Sequence, residues 1–226
     1  MKIAGIIAAG GNSSRFGQDK LSLKFSGKSV LTWSVSLLSL HQSIDFVVVA
    51  IADHKLAKKQ ISGFTASNIE FSEPGTSRAE TIFKALQKIP DDYDAVFVHD
   101  GARPFATSKL IDSILSRKTE AGCIVPILPI DGAVKKISAD HRISDNIADK
   151  LYVTQTPQFA YLKPLRFAYE KFKGNLERFR DTAHIMSEFG ISVLTVPGET
   201  TNIKITHQSD VTLANAIAGC GVLKRR

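Results

Sequence analysis

Two stretches of the chain gather residue types that grip phosphate. The first runs Ile6-Ile7-Ala8-Ala9-Gly10-Gly11-Asn12-Ser13-Ser14-Arg15-Phe16-Gly17-Gln18-Asp19-Lys20. Adjacent glycines let a backbone approach an anion closely and turn its N–H groups toward it. Arg15 and Lys20 add positive charge at separate points along a polyphosphate. No Gly-Lys-Ser/Thr follows at P-loop spacing, and the Gly-x-Gly-x-x-Gly fingerprint is not met. From the residues alone the stretch reads either as a phosphate or nucleotide loop or as a Gly-rich surface turn with ordinary surface cations. The second stretch is His99-Asp100-Gly101-Ala102-Arg103-Pro104-Phe105. An Asp at the carboxyl end of a strand can hold a divalent cation against phosphates. Arg103 can meet a phosphate or an acidic neighbour. The blander alternative is a capping Asp with a structural ion pair. His99 reads as a hydrogen-bonding structural residue rather than a base, and no clustered His or Cys supports zinc.

The elements that must position these residues follow an α/β rhythm. A dense apolar run at 2–8 predicts a buried strand feeding the first loop. Helical spacing of Val30, Leu31, Trp33, Val35, Leu37 and Leu38 predicts a helix over 30–40. Residues 46–51 read as a strand by β-branching, 54–60 as a short polar helix, and 68–71 as a short strand. A turn at Pro74-Gly75 precedes a helix over 78–89. A strand over 94–100 ends on Asp100, a helix covers 107–117, and a strand over 123–128 enters Pro129-Ile130-Asp131-Gly132. Residues 133–152 break the rhythm, with extended pieces at 133–137 and 142–147 that predict a β-hairpin arm. Helices at 164–172, 182–189 and 209–218 and a strand at 191–196 complete the pattern. The whole predicts one three-layer α/β/α domain over 1–226, with a mostly parallel, twisted sheet, crossover helices and an inserted β-arm at 133–152. Trp33, Phe83, Phe97 and Cys123 read as core.

Composition bounds the reading. The 226 residues are 43% hydrophobic and 23% charged, enough for a sizeable core and against a disordered chain. Two widely separated cysteines, Cys123 and Cys220, argue against a disulfide framework. No apolar run reaches the roughly 18 to 20 residues that span a bilayer, and the apolar start is too short for a signal peptide. A cytoplasmic protein with no membrane partner is expected. Lys and Arg number 29 against 22 Asp and Glu, a formal charge of +7, which suits anionic partners. The basic residues are scattered apart from the Lys224-Arg225-Arg226 tail, and no nucleic-acid-binding pattern stands out, so no nucleic-acid partner is expected.

Four segments taken together resemble the sugar-phosphate nucleotidyltransferase superfamily and, within it, the 2-C-methyl-D-erythritol 4-phosphate cytidylyltransferases. They are Ala8-Ala9-Gly10 through Arg15-Phe16-Gly17 to Lys20; Gly75-Thr76-Ser77-Arg78-Ala79-Glu80-Thr81; the 99–105 segment; and Gln155-Thr156-Pro157-Gln158-Phe159, followed later by Asn202-Ile203-Lys204-Ile205-Thr206. Ribitol-5-phosphate cytidylyltransferases share most of these signatures. The resemblance implies a Rossmann-like nucleotidyltransferase fold that binds CTP and a small alcohol or polyol phosphate, with Mg²⁺ as cofactor. On that resemblance, Ala8, Ala9, Gly10, Gly11, Asn12, Ser13, Ser14, Arg15, Gly17 and Lys20 wrap CTP, and Gly75, Thr76, Arg78 and Thr81 border its cytosine and ribose. Arg15, Lys20 and Lys204 act on the triphosphate and the attacked phosphorus. Asp100 binds the metal, the nucleotide or the acceptor, and Arg103, Thr156 and Lys204 serve the acceptor. The arm corresponds to the family's dimerisation arm, which lends residues to a partner's site.

The chain departs from the family pattern in places. Asn12 stands where Gly is common, Asp19 where Pro precedes the lysine, and Thr76 where some members have Asp. Ala148 replaces an arginine that helps to hold the acceptor, with Lys150 nearby. Arg180-Asp181-Thr182 and Thr201 also differ. Apart from the loop and base-pocket changes, these departures gather on the acceptor side. Transfer to ribitol 5-phosphate or another polyol phosphate therefore stands beside the methylerythritol reading. A nucleotide-binding regulator without turnover is the non-enzymatic alternative.

Overall fold

The computed structural model describes residues 1–11, 16, 19–63, 68–147 and 150–221. The first strand, β1 (Ile3–Ala8), is the buried run expected at the start. A tight hairpin of β2 (Lys24–Phe25) and β3 (Lys28–Ser29) follows, unannounced by any apolar run. Its turn places Ser26 at φ 48° and Gly27 at φ 81°, the left-handed region where glycine carries no Cβ penalty. Ser29 then caps α1 (Val30–Ser39) by accepting the Thr32 N–H. β4 (Phe46–Ala50), α2 (His54–Ile61), β5 (Ile69–Ser72), α3 (Arg78–Leu86), β6 (Ala95–Asp100), α4 (Ser108–Ser116) and β7 (Cys123–Pro129) continue the alternation.

β8 (Val134–Ile137) and β9 (Ile143–Ile147) pair antiparallel as a separate two-stranded hairpin. β10 (Tyr152–Thr154) and β11 (Gln158–Tyr161) then return the chain to the main sheet, and α5 (Leu162–Phe172) follows directly. Pro164 falls in the first turn of α5, where a missing N–H costs nothing. α6 (Thr182–Glu188), β12 (Val193–Pro197) and α7 (Asp210–Gly219) complete the chain.

Among the described residues the main sheet has eight strands in the order β10-β7-β11-β6-β1-β4-β5, with β12 on β7. β6, β1, β4 and β5 run parallel, as does β12 with β7. β11 runs antiparallel between β6 and β7, a strand that the sequence reading did not anticipate. Four residues are too few for a period to show.

Side chains alternate across the sheet. Ile3, Ile7, Phe97 and Phe159 face one apolar core with residues of α1, α4 and α7. Ala4, Ile6, Val96, Val98 and Ala160 face another with residues of α3, α5 and α6. The result is an α/β fold with helices on both faces of a mixed, largely parallel sheet. Trp33, Phe97 and Cys123 are buried as expected, while Phe83 is partly buried against the second core. Burial pushes the Cys123 thiol up to about 12, which suits an inert core residue rather than a nucleophile. No helix among the described residues is long and apolar enough to cross a membrane.

Candidate active site

Parallel strands end side by side, so the loops after β1, β5 and β6 converge at one rim of the sheet, where open α/β sheets bind ligands. A cleft of about 380 Å³ lies there. Ala8, Ala9, Gly10, Gly11 and Lys20 form one wall, and Gly75, Thr76, Arg78 and Thr81 another. Asp100 and Lys204 also line it. Asn12, Ser13, Ser14, Arg15 and Gly17 lie outside the described residues, as does Ala148. Leu21, Ser77 and Ala102 line the cleft as well and were not singled out from the sequence.

Local chemistry explains each placement. The turn after β1 packs tightly: a Cβ on Gly10 would lie 2.3 Å from the Cβ of Pro74, and one on Gly101 would lie 3.1 Å from the Cβ of Ala9. Asp19 caps the short 3₁₀ turn Lys20–Ser22 by accepting the Leu21 N–H at 3.0 Å, which fixes the backbone that carries Lys20. Arg78 is the first residue of α3, whose N-terminus Ser77 caps through the Glu80 N–H. Lys204 sits on a segment outside any helix or strand, held by several bonds. The Ile205 N–H donates to the Ala102 carbonyl at 2.9 Å. Asn202 Nδ2 donates to the Thr156 carbonyl at 2.8 Å, and Gln155 Nε2 to the Glu199 carbonyl at 2.9 Å.

Asp100 is the electrostatic centre. It is 6% exposed, with Arg78 Nε 2.7 Å from Oδ1 and Lys204 Nζ 2.8 Å from Oδ2. Arg103 Nε lies 3.7 Å from Oδ2. Burial pushes the Asp100 carboxyl up, but the pull of Arg78, then of Lys204 and Arg103, prevails and holds it well below the usual carboxylate range. Arg78 is held above its ordinary value: burial opposes this, and the Asp100 charge outweighs it. One terminal nitrogen of Arg78, Nη2, is buried with no hydrogen-bond partner among the described residues.

Arg103 and Thr156, expected beside an acceptor, do not line this cleft but stand one layer behind Asp100. Arg103 Nη1 donates to the Asn202 carbonyl at 2.7 Å. The Thr156 hydroxyl accepts the Asp100 N–H at 3.0 Å and bonds His99 Nδ1 at 3.0 Å. His99 Nε2 lies 3.1 Å from the Arg103 carbonyl, which only a protonated nitrogen satisfies. With Nε2 as the donor, neutral His99 accepts the Thr156 proton at Nδ1. Both residues spend polar atoms on the protein's own backbone because they are buried, and buried polar groups must be paired. On the acceptor side, Arg180 is exposed and Asp181 caps α6 while accepting from Thr154 and Gln158.

No group of three or more His, Cys, Asp or Glu side chains among the described residues is placed to hold a metal. Among the described residues the cleft offers one carboxylate, and each Asp100 oxygen accepts one hydrogen bond within 3 Å, which leaves lone-pair capacity. That donor set fits Mg²⁺ carried mainly by substrate phosphates, with one protein ligand, and does not fit an all-protein cage.

The cleft is a mainly positive one at the carboxyl edge of a largely parallel sheet, and comparison with known proteins decides the family. The family model for IspD, 2-C-methyl-D-erythritol 4-phosphate cytidylyltransferase, matches residues 3–219. The chain belongs to this family.

A 2-C-methyl-D-erythritol 4-phosphate cytidylyltransferase of Neorickettsia sennetsu is 32% identical over 228 aligned positions, covering 95% of this chain and 96% of that protein. Among solved structures, the 4-diphosphocytidyl-2C-methyl-D-erythritol synthase of Anaerococcus prevotii superposes with a TM-score of 0.82 at 28% identity, covering 95% of this chain and 97% of its own. The 2-C-methyl-D-erythritol 4-phosphate cytidylyltransferase of Thermus thermophilus superposes with a TM-score of 0.78 at 25% identity, covering 97% and 100%. As a member of the 2-C-methyl-D-erythritol 4-phosphate cytidylyltransferase family, the chain is a CTP-dependent nucleotidyltransferase acting on a sugar or polyol phosphate.

Proposed function

We propose that the chain transfers CMP from CTP to 2-C-methyl-D-erythritol 4-phosphate and releases pyrophosphate, a step of isoprenoid precursor synthesis by the non-mevalonate route. A phosphate oxygen of the acceptor attacks the α-phosphorus of CTP in line. The new P–O bond forms as the bond to the β-phosphate bridging oxygen breaks, and the electron pair leaves on pyrophosphate. A phosphate monoester is already a nucleophilic anion near neutral pH, so the step needs no Ser, Cys or His nucleophile. The protein's work is to hold two polyanions together and to offset charge in the transition state. The observation that carries this reading is the cleft that Lys20 lines together with Asp100 and its two ion-pair partners, Arg78 and Lys204. Lys20 and Lys204 then meet the triphosphate and the attacked phosphorus, with Arg15 as a further cation from the loop. Asp100 is the residue to hold Mg²⁺, which would supply charge neutralisation on the phosphates.

Two further parts of the reading concern assembly and place. The β8–β9 hairpin exposes Ile137 and Ile143, at 56% and 62%, which supports a homodimer formed through this arm. The composition supports a cytoplasmic protein.

Transfer to a polyol phosphate such as ribitol 5-phosphate is the second reading, motivated by Ala148, Thr201 and the exposed Arg180 on the acceptor side. Pyrophosphate release, measured for four nucleoside triphosphates against both acceptors with and without Mg²⁺, tests the proposal. CTP with methylerythritol phosphate and Mg²⁺ is expected to give the fastest release. Faster release with ribitol phosphate moves the assignment to the second reading. Tight CTP binding without turnover on any acceptor makes the chain a nucleotide-binding regulator.

A further inference from the structure

One rim of the cleft carries a hydrogen-bond arrangement that phosphate transfer does not require. A single Glu80 oxygen, Oε2, accepts the Thr76 backbone N–H at 2.7 Å and the Thr76 hydroxyl at 2.6 Å. A carboxylate can only accept, so the hydroxyl proton of Thr76 is committed to Glu80. The side-chain bond from Thr76, followed by its backbone bond, holds Glu80 below the usual carboxylate range, so it stays ionised at neutral pH. The surrounding loop is shaped for this contact. A Cβ on Gly75 would lie 2.5 Å from the Cβ of Glu80, so a side chain there would push Glu80 away. Lys84 Nζ stands 3.5 Å from Glu80 Oε1 and donates to the Pro74 carbonyl at 3.0 Å, which ties the same loop to α3. Neighbouring donors are also spent: the Gly75 N–H goes to Thr81 Oγ1 at 3.0 Å, and the Thr81 hydroxyl to the Ser77 carbonyl at 2.8 Å.

Thr76 lines the cleft together with uncharged Ala9, Gly10 and Gly75, whereas Lys20, Arg78 and Lys204 supply its positive charge. A bound triphosphate is drawn to those cations, and the neutral base of the same nucleotide is left to the uncharged wall. There Thr76 offers lone pairs and no proton. We propose that Glu80 is a positioning residue that sets base specificity: by holding the Thr76 proton, it makes Thr76 a fixed acceptor for an exocyclic amine of the base. The N4 amine of cytosine satisfies that acceptor. The O4 carbonyl of uracil in the same position meets another acceptor and is refused. This inference rests on the nucleotide reading above and adds the residue that fixes the hydrogen-bond polarity of Thr76.

Calorimetric titration of CTP and of UTP into the intact chain and its variants tests it, with circular dichroism as the check on folding. The wild-type chain is expected to bind CTP at least about tenfold more tightly than UTP. In Glu80→Ala the Thr76 hydroxyl can turn its proton toward a carbonyl, so the preference should fall about tenfold, chiefly because UTP binds more tightly. Loss of fold cannot produce a gain in UTP binding. Thr76→Val, at an exposed position, should also lose the preference, but through weaker CTP binding. Adding Glu80→Ala to Thr76→Val should then change the ratio no further, because Glu80 acts only through the hydroxyl.

A wild-type ratio in either folded single variant overturns the proposal and leaves the nucleotide reading standing. If Glu80→Ala does not fold, Thr76→Val decides. Absence of binding by both nucleotides in the wild-type chain overturns the nucleotide reading and this proposal with it.

Discussion

The two ends of the cleft are built by opposite means. At the charged end, Asp100 is buried, braced from behind by Thr156, His99 and Arg103, and faced by Arg78 and Lys204. At the neutral rim, Thr76 is exposed and held by one carboxylate on the next turn of chain. Charge interactions are strong where water is excluded and weak where it is not. On the proposed function the charged end would join stability to catalysis, since side chains that would meet phosphate also neutralise a buried carboxylate. The rim can change its hydrogen-bond polarity with little consequence for the fold, which makes it a place to set selectivity.

The largest expected effect is on turnover at the charged end. Lys20→Ala should lower kcat/KM for pyrophosphate release by about 10²–10³-fold, the usual result of removing one transition-state charge contact. Its circular dichroism should stay that of the wild-type chain. Normal turnover in this variant would remove Lys20 from the phosphate end.

Next in size is the stability carried by Asp100. Asp100→Ala leaves Arg78, Arg103 and Lys204 facing one another, and urea unfolding at pH 7 should show a loss of about 3–5 kcal/mol. The pH dependence has a definite sign. The folded-state pKa of Asp100 lies below its ordinary value, so its contribution is complete above the ordinary value of about 4 and is lost as pH falls through the folded value. The gap between wild type and Asp100→Asn should hold steady from pH 7 to about 5 and narrow below about 4. A gap that widens on acidification would contradict the ion-pair account.

A smaller effect is expected one layer back. Thr156→Val keeps the shape but removes the hydroxyl that accepts the Asp100 N–H and meets His99. The loss should be about 1–3 kcal/mol by urea unfolding, the cost of leaving buried groups unpaired. A neutral result would mean that the Thr156 hydroxyl is not part of the brace. Smallest of all should be the stability change in Glu80→Ala, whose side chain is half-exposed at the rim. A urea midpoint as strongly shifted as that of Asp100→Ala would erase the contrast between the two ends.

Much of this architecture was legible in the residues. The apolar runs at 2–8, 46–51 and 94–100 became neighbouring parallel strands, and Asp100 stood at a strand end because the apolar run stops there. Lys20 and Asp100 were singled out by charge beside glycine and by position, and both line the cleft. β11 was not legible, since a strand inserted between two others is defined by the edges it joins. The roles of Arg103 and Thr156 were equally hidden. A guanidinium and a hydroxyl suit phosphate by type, but type does not say whether the partner is a substrate or the protein's own backbone. Glu80 lay inside a recognised segment yet drew no role, because nothing in its spacing shows that it folds back onto Thr76.

The sequence by itself determined the alternation of strands and helices, the excess of positive charge and the identity of the residues able to grip phosphate. These properties follow from side-chain polarity and period, which are local. Tertiary structure alone decided that Lys204, more than a hundred residues after Asp100, closes onto it, that Thr156 and His99 face inward, and that Thr76 has no proton left to give. Each of those depends on which groups find one another across the sheet ends, because a hydrogen bond or buried ion pair exists only once both partners have been brought within about 3 Å.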